Sequence, residues 1–258
     1  MKNLWKIIII ILISASCTNT NQQPAQNILP VNELISIAET IPAKPKQPGY
    51  HATRVKTIID TTQNTEVAVK EIRNLLKEDA LNIYLHILYQ DYMLEKQKRQ
   101  EMLPVYRKAC IRNPNSFNRV LYARLLHNLK EQKNLLEKVL GTSPGNTHAN
   151  LMTAKYHLEG QQVDTAKALF YALEALKANN SEPGAYKLFS YICRNHLNMP
   201  EKSVFFAHQA YLCDTSDQNS FEYLAYVLNY YKKHKKIIAL YKNRLEACGE
   251  NSSYIYDL

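Results

Sequence analysis

The sequence predicts an all-α fold, a solenoid of antiparallel helix pairs, on three observations. A similar helix end and turn recurs at Ala109 to Pro114, Val139 to Pro144, Ala175 to Asn180, Ala210 to Thr215 and Arg244 to Gly249, with anchors stepping by 30, 36, 35 and 34 residues. Only six glycines occur in 258 residues, and Leu, Lys, Ala, Glu, Asn and Tyr dominate after position 65. Apolar residues recur there at three- and four-residue spacing, the period of an amphipathic helix. In such a stack each pair buries its core only against its neighbours, so one quasi-linear domain is expected.

The elements follow in order. Val67, Val69, Ile72, Leu75 and Leu76 predict a helix over 65–77. Pairs are then predicted at 80–95 with 98–112, 116–128 with 131–140, 147–159 with 164–178, 183–195 with 200–212, and 219–231 with 235–247. Asn113-Pro114, Ser143-Pro144-Gly145-Asn146 and Ser181-Glu182-Pro183 break helices, whereas Pro200 suits a first helical turn. Ser116, Asn146 and Asp217 are predicted N-caps. No useful length of chain alternates as a strand would.

Ala175-Leu176-Lys177-Ala178-Asn179-Asn180 and Ala210-Tyr211-Leu212-Cys213-Asp214-Thr215 resemble the end of the second helix of a tetratricopeptide repeat. Tyr156-His157-Leu158-Glu159-Gly160 resembles the end of a first helix with its turn glycine, and the mean step of about 34 residues agrees. The resemblance covers about 65–250, as four or five units plus a partial one. It is degenerate: Val139 and Arg244 replace the small residue, and two of the five turns keep proline. It implies a right-handed solenoid at 53–250, followed by a tail at 251–258. First helices would line a concave groove, the usual ligand surface of the family, and second helices would form the outer face.

A small residue in each first helix sets the phase of that groove, and Ala123, Ser190 and Ala225 fill the role. The expected partner-binding residues are then Arg124, Asn128, Tyr191, Arg194, Asn195, Tyr226, Asn229 and Tyr230. Asn can hydrogen-bond an extended backbone, Arg can grip a carboxylate with two donors, and Tyr joins apolar area to a hydroxyl. A purely structural use stays open for the same residues, since Asn128 and Asn195 stand at helix ends and tyrosines fill gaps between repeats.

The N-terminus reads as an export signal over 1–16. Lys2 and Lys6 give a positive start, an apolar stretch lies within 4–13, and Ser14-Ala15-Ser16 precedes Cys17. The stretch is too short for a membrane span, which needs ~20 residues. Ala15-Ser16-Cys17 resembles the lipobox of bacterial lipoproteins, although Ser14 stands where Leu is commoner; ordinary signal cleavage beside Cys17 therefore stays open. The resemblance implies lipid attachment at Cys17, and Thr18, where inner-membrane retention uses Asp, favours the outer membrane. The next segment, 17–52, is rich in Thr, Asn, Gln and Pro and is expected to be a flexible tether. Within it Val31, Leu34, Ile35 and Ala38 have helical spacing, which fits a transient helix in a linker or a short docking helix.

Loss of the signal leaves 30 basic against 23 acidic residues. Clusters stand at Lys96, Lys98, Arg99, Arg107, Lys108 and Arg112, and at Lys232, Lys233, Lys235 and Lys236. Solvated turns explain such runs; an anionic headgroup or acidic partner is the functional alternative, and export disfavours nucleic acid. Apart from Cys17, the cysteines Cys110, Cys193, Cys213 and Cys248 lie in helical apolar patterns and form no CxxC motif, so buried thiols are expected, with a Cys213–Cys248 bridge as the alternative. The histidines lack metal-ligand spacing, and no nucleophile elbow or phosphate loop is present. The expectation is therefore a membrane-tethered scaffold binding a protein or peptide in the cell envelope, with no catalytic residue, metal or cofactor. Homo-oligomerisation stays open, as do an unlipidated secreted binding protein, a self-assembling component and an envelope enzyme.

Overall fold

A computed structural model describes residues 28–45, 65–159 and 163–248. Among them are twelve helices and no strand: α1 (Val31–Glu39), α2 (Thr65–Glu78), α3 (Ile83–Glu95), α4 (Arg99–Arg112), α5 (Ser116–Ala123), α6 (Leu129–Thr142), α7 (Thr147–Glu159), α8 (Thr165–Ala178), α9 (Pro183–Asn195), α10 (Pro200–Cys213), α11 (Gln218–Tyr230) and α12 (His234–Cys248). From α2 onwards each helix packs on the next in sequence, and first helices also meet across repeats, α3 on α5 and α7 on α9. The core is accordingly a row of apolar clusters along the stack. None of the described helices is long and apolar enough to cross a membrane.

The repeat is set by side-chain caps. Asn82, Asn115, Asn146, Glu182 and Asp217 each accept a backbone N–H at the start of a first helix, from Leu85, Asn118, Ala149, Gly184 and Ser220. Such caps satisfy donors that the helix itself leaves unpaired. Asn146 and Asp217 act as the sequence predicts; the third cap is Asn115, one residue before Ser116. At the other end of three first helices the chain turns through a left-handed residue, Gln97, Asn198 or Lys232, with φ of 57°, 51° and 54°. Lys98 N–H then reaches back to Met93 O, and Lys233 N–H to Leu228 O, closing the exposed carbonyls of the last turn.

One repeat is shorter than expected. α5 stops at Ala123 instead of running to 128, because Asn128 turns its side-chain oxygen onto the N–H groups of Lys130 and Glu131 and starts α6.

The larger departure is at the N-terminus. Within the segment expected as a flexible tether, α1 docks as a strap on the face built by the second helices α8 and α10. Leu34, Ile35 and Ala38 are buried in one cluster with Leu169, Leu173, Phe189 and Phe206. Nine residues of helix are marginal alone, so burial of this stripe is what holds it. Polar contacts lock the ends: Lys202 Nζ reaches Glu39 at 2.6 Å, Gln209 accepts from Ala43 N–H at 2.8 Å, and Lys44 N–H donates to Asn180 O at 3.0 Å. The Tyr186 hydroxyl, on a ring that is itself fully buried, donates to Ile41 O at 3.2 Å.

Cys110 and Cys193 are buried thiols, and burial pushes the Cys193 thiol up to about 12. Cys213 packs its sulfur 3.8 Å from Asn180 O. The Cys248 side chain, and with it the alternative bridge to Cys213, lies outside the described residues, as do the signal, Cys17 and the tail at 251–258. His86 is structural, held between the Tyr106 hydroxyl and Ala80 O, and His157 stacks on Tyr171.

Candidate ligand-binding face

Counting from the caps puts the first helices in register. The eighth residue after each cap is Gln90, Ala123, Ala154, Ser190 or Ala225; the first four are fully buried and Ala225 is partly so. This agrees with the phase read from Ala123, Ser190 and Ala225. The next residue along, Asp91, Arg124, Lys155, Tyr191 or Tyr226, leaves the core and forms a row across the first-helix face.

The two halves of that row differ in chemistry. In the first half the charges satisfy one another. Arg124 Nη2 lies 2.6 Å from Asp91 Oδ1 and its Nε 3.0 Å from the buried Gln90 Oε1, while Gln90 donates its own Nε2 to Leu121 O. Arg124, expected to meet a partner, thus ties α5 to α3. Asn128, also expected on this face, spends its acceptor on the α6 cap, because the short repeat brings the turn forward.

The second half gathers four of the expected residues into one cluster. The Arg194 guanidinium lies over two tyrosine rings of the next first helix, 4.7 Å from the Tyr226 centroid and 5.3 Å from that of Tyr230. Asn195 Oδ1 accepts from Arg194 Nε at 3.3 Å. Arg194 Nη1 is shut off from solvent and has no acceptor among the described residues. Tyr191, one turn before Arg194 on α9, lies beside the His196 ring; it and both ring partners of Arg194 are large apolar surfaces left 40–57% exposed. Asn229 is exposed on α11 between them.

The geometry suits recognition of an extended chain. Two rings hold the guanidinium by cation–π contact, and its fixed positive charge attracts a carboxylate or a backbone carbonyl. Exposed, rigid tyrosines supply area at small entropic cost, the usual composition of an interface hot spot. Behind them, Tyr223 donates to Lys187 O at 3.2 Å, and Lys187 sits 3.9 Å from Asp217. Burial pulls the Lys187 ammonium below its ordinary range, and Asp217 and Glu182 oppose that pull. Asp91, Gln90 and Lys155 lie outside the residues expected from sequence, although the ninth position after an Asn cap marks Asp91 and Lys155 and the eighth marks Gln90.

The basic clusters are partly spent inside the fold. Arg99 donates to Leu125 O at 2.8 Å, Lys98 faces Glu101 at 4.0 Å, and Lys233 pairs with Glu201 at 3.0 Å. Among the described residues no group of three His, Cys, Asp or Glu side chains is placed to hold a metal ion.

No family model matches the chain, and no curated protein matches it. Solved structures do. The chain is similar to a tetratricopeptide repeat protein from Parabacteroides merdae, at 15% identity over 80% of this chain and 81% of that one with a TM-score of 0.46. It is similar to PilW, described as a widely conserved type IV pilus biogenesis factor, at 15% identity over 79% and 94% with a TM-score of 0.49. It also matches a chain of the APC/C hetero-tetramer Cut9–Hcn1 at 13% identity and a TM-score of 0.51, covering 87% of this chain and 47% of that longer one. The helix pairs, their cap-to-cap period and this last superposition agree that the fold is tetratricopeptide-repeat-like.

Proposed function

We propose that the chain is a scaffold that binds a protein or peptide along its first-helix face, held in a bacterial cell envelope by lipid on Cys17. The observation that carries the binding half is the Arg194 guanidinium clasped by Tyr226 and Tyr230, whose rings, with that of Tyr191, stay 40–57% exposed. Tyr191 extends the contact toward α7. The partner would be an extended segment presenting a carboxylate or a backbone carbonyl to Arg194 and apolar side chains to the rings.

Photo-crosslinking in cells tests this. A benzophenone amino acid at Tyr191 is expected to capture a discrete partner, and one at Val105, exposed on the second helix α4, is not. The double variant Arg194→Ala/Tyr226→Ala is expected to weaken capture at 191 about tenfold or more, the loss typical of hot-spot truncation. Equal capture at both positions, unaffected by the double variant, would remove the face from the proposal.

The anchoring half rests on Lys2, Lys6, the apolar run and Ala15-Ser16-Cys17. A lipid chain contributes ~0.8 kcal/mol per buried methylene, and several chains hold a domain on a bilayer lastingly. Cys17→Ser is expected to abolish incorporation of labelled fatty acid and to shift the protein to the soluble fraction. Labelling that persists in the variant would exclude Cys17 as the attachment point, and membrane confinement, with its gain in local concentration, would need another source.

A further inference from the structure

The trough that α1 fills is repeated once along the stack, and no described residue fills the second copy. In the strapped trough the walls are α8 and α10 and the floor is α9. One repeat on, the walls are α10 and α12 and the floor is α11, enclosing roughly 490 Å3.

Residues at the same helical positions correspond closely. The third residue of α10 is Lys202, which pairs with Glu39 of the strap; the third residue of α12 is Lys236. The tenth residue of α10 is Gln209, which accepts from Ala43; the tenth of α12 is Asn243, again an amide. Both Lys236 and Asn243 line the open trough. The seventh residues, Phe206 and Leu240, are both apolar and buried. On the floor, Leu224 and Leu228 take the places of Phe189 and Cys193.

The preceding trough, between α6 and α8, does not match. Its wall carries Lys133 and Glu137 where α8 has Leu169 and Leu173, and it encloses roughly 170 Å3. The open trough has Val204 and His208 at those positions. Burial and the neighbouring Lys236 both pull the His208 pKa down, so the ring tends to stay neutral.

One end of the open trough is closed. In the strapped trough, the extended segment after α1 donates from Lys44 to Asn180 O beside Tyr186. At the equivalent place Arg244 donates to Thr215 O at 2.6 Å and covers the Phe221 ring at 4.7 Å. Arg244 therefore stands where the extended part of a strap would lie, and only the helical part has room.

We infer that the trough between α10 and α12 docks a short amphipathic helix of a partner protein, carrying two adjacent bulky apolar residues, a small residue one turn later, and an acid beside it that pairs with Lys236. Leu34, Ile35, Ala38 and Glu39 show this pattern in the occupied trough. Lys232 and Lys235, exposed nearby, add attraction for an acidic helix, and Glu201 is already engaged by Lys233. The site uses the buried side of α11, through Leu224 and Leu228, whereas Tyr226 and Tyr230 leave the other side of that helix, and Arg194 does not line it.

The probe is a fluorescent, end-capped peptide of residues 29–40, titrated onto the full chain. Its own strap keeps the first trough filled by intramolecular concentration, so the peptide reports on the second. Saturable binding is expected. Ala239→Arg, a substitution at an exposed rim position, is expected to abolish it, and Lys236→Glu to weaken it about fivefold or more, as loss and reversal of a partly exposed pair would. A peptide with Glu39→Lys is expected to regain affinity for the Lys236→Glu protein. Lys202→Glu is expected to leave affinity at the wild-type level or raise it. Absence of saturable binding would overturn the inference. So would binding that is indifferent to Lys236→Glu and changed only by Lys202→Glu, which would mean exchange with the protein's own strap.

Discussion

Replacing Phe206 by Ala is expected to destabilise the chain by about 3–5 kcal/mol, the usual range for a fully buried phenylalanine. Its ring has no solvent exposure and lies 4.9 Å from Phe189 and 5.2 Å from Phe205, in the cluster that also holds Leu34 of the strap. One truncation therefore loosens two contacts at once: α10 against α9, and the strap against the cluster they share. In a stack whose units touch only their neighbours, this loss falls in the middle of the coupling between repeats. Urea unfolding followed by circular dichroism is expected to show an early transition for the variant, with the α3–α6 half melting later. A single transition displaced by less than about 1 kcal/mol would mean that the ring is not packed as described.

Much of the stack was legible because its signals are local. Pro183 and Pro200 do sit in first turns, Asn146 and Asp217 do cap, and the small residues Ala123 and Ser190 do mark the buried side. The misplacements have local causes as well. Asn115 and Ser116 are adjacent and both able to cap; Asn115 is chosen because its oxygen reaches Asn118 N–H at 2.9 Å, while the Ser116 hydroxyl lies 3.2 Å from that of Ser143. α5 could not be cut at Ala123 from periodicity, since Leu125 and Leu126 continue the apolar pattern after the helix has ended.

The site was half legible for a different reason. The ninth position after each cap leaves the core, and Arg194 follows Tyr191 by one turn, so Tyr191, Arg194 and Tyr226 fall on one face. Whether a charge on that face waits for a partner or has one already depends on the helix next door. Arg124 and Arg194 look alike in sequence, but Asp91 and Gln90 face the first and two tyrosine rings face the second. The strap was the least legible element. Its stripe of Leu34, Ile35 and Ala38 is visible, but its partners Lys202, Gln209 and Tyr186 lie 145 to 166 residues away, and nothing local says that so short a helix will find them.

Leu34→Asp is expected to release that strap. A carboxylate cannot stay charged at a fully buried position without a partner, so leaving the trough is cheaper for so short a helix than keeping the new side chain inside. The local loss should be about 3 kcal/mol, close to two orders of magnitude in the opening equilibrium of residues 28–45. Brief digestion with proteinase K would read it as faster cleavage within that segment. Hydrogen exchange carries the sharper test. Amides of α8, α9 and α10 should exchange faster, because the strap clamps those three helices, while α3 to α6, which it does not touch, should keep their wild-type rates. The Glu39–Lys202 pair gives an internal comparison. Lys202→Ala removes only a partly exposed ion pair, worth about 1 kcal/mol or less, and should loosen the same helices by a smaller factor. If Leu34→Asp left exchange in α8 to α10 unchanged, the strap would be a passenger on the second-helix face. If both variants accelerated the whole chain equally, it would instead be part of one cooperative core.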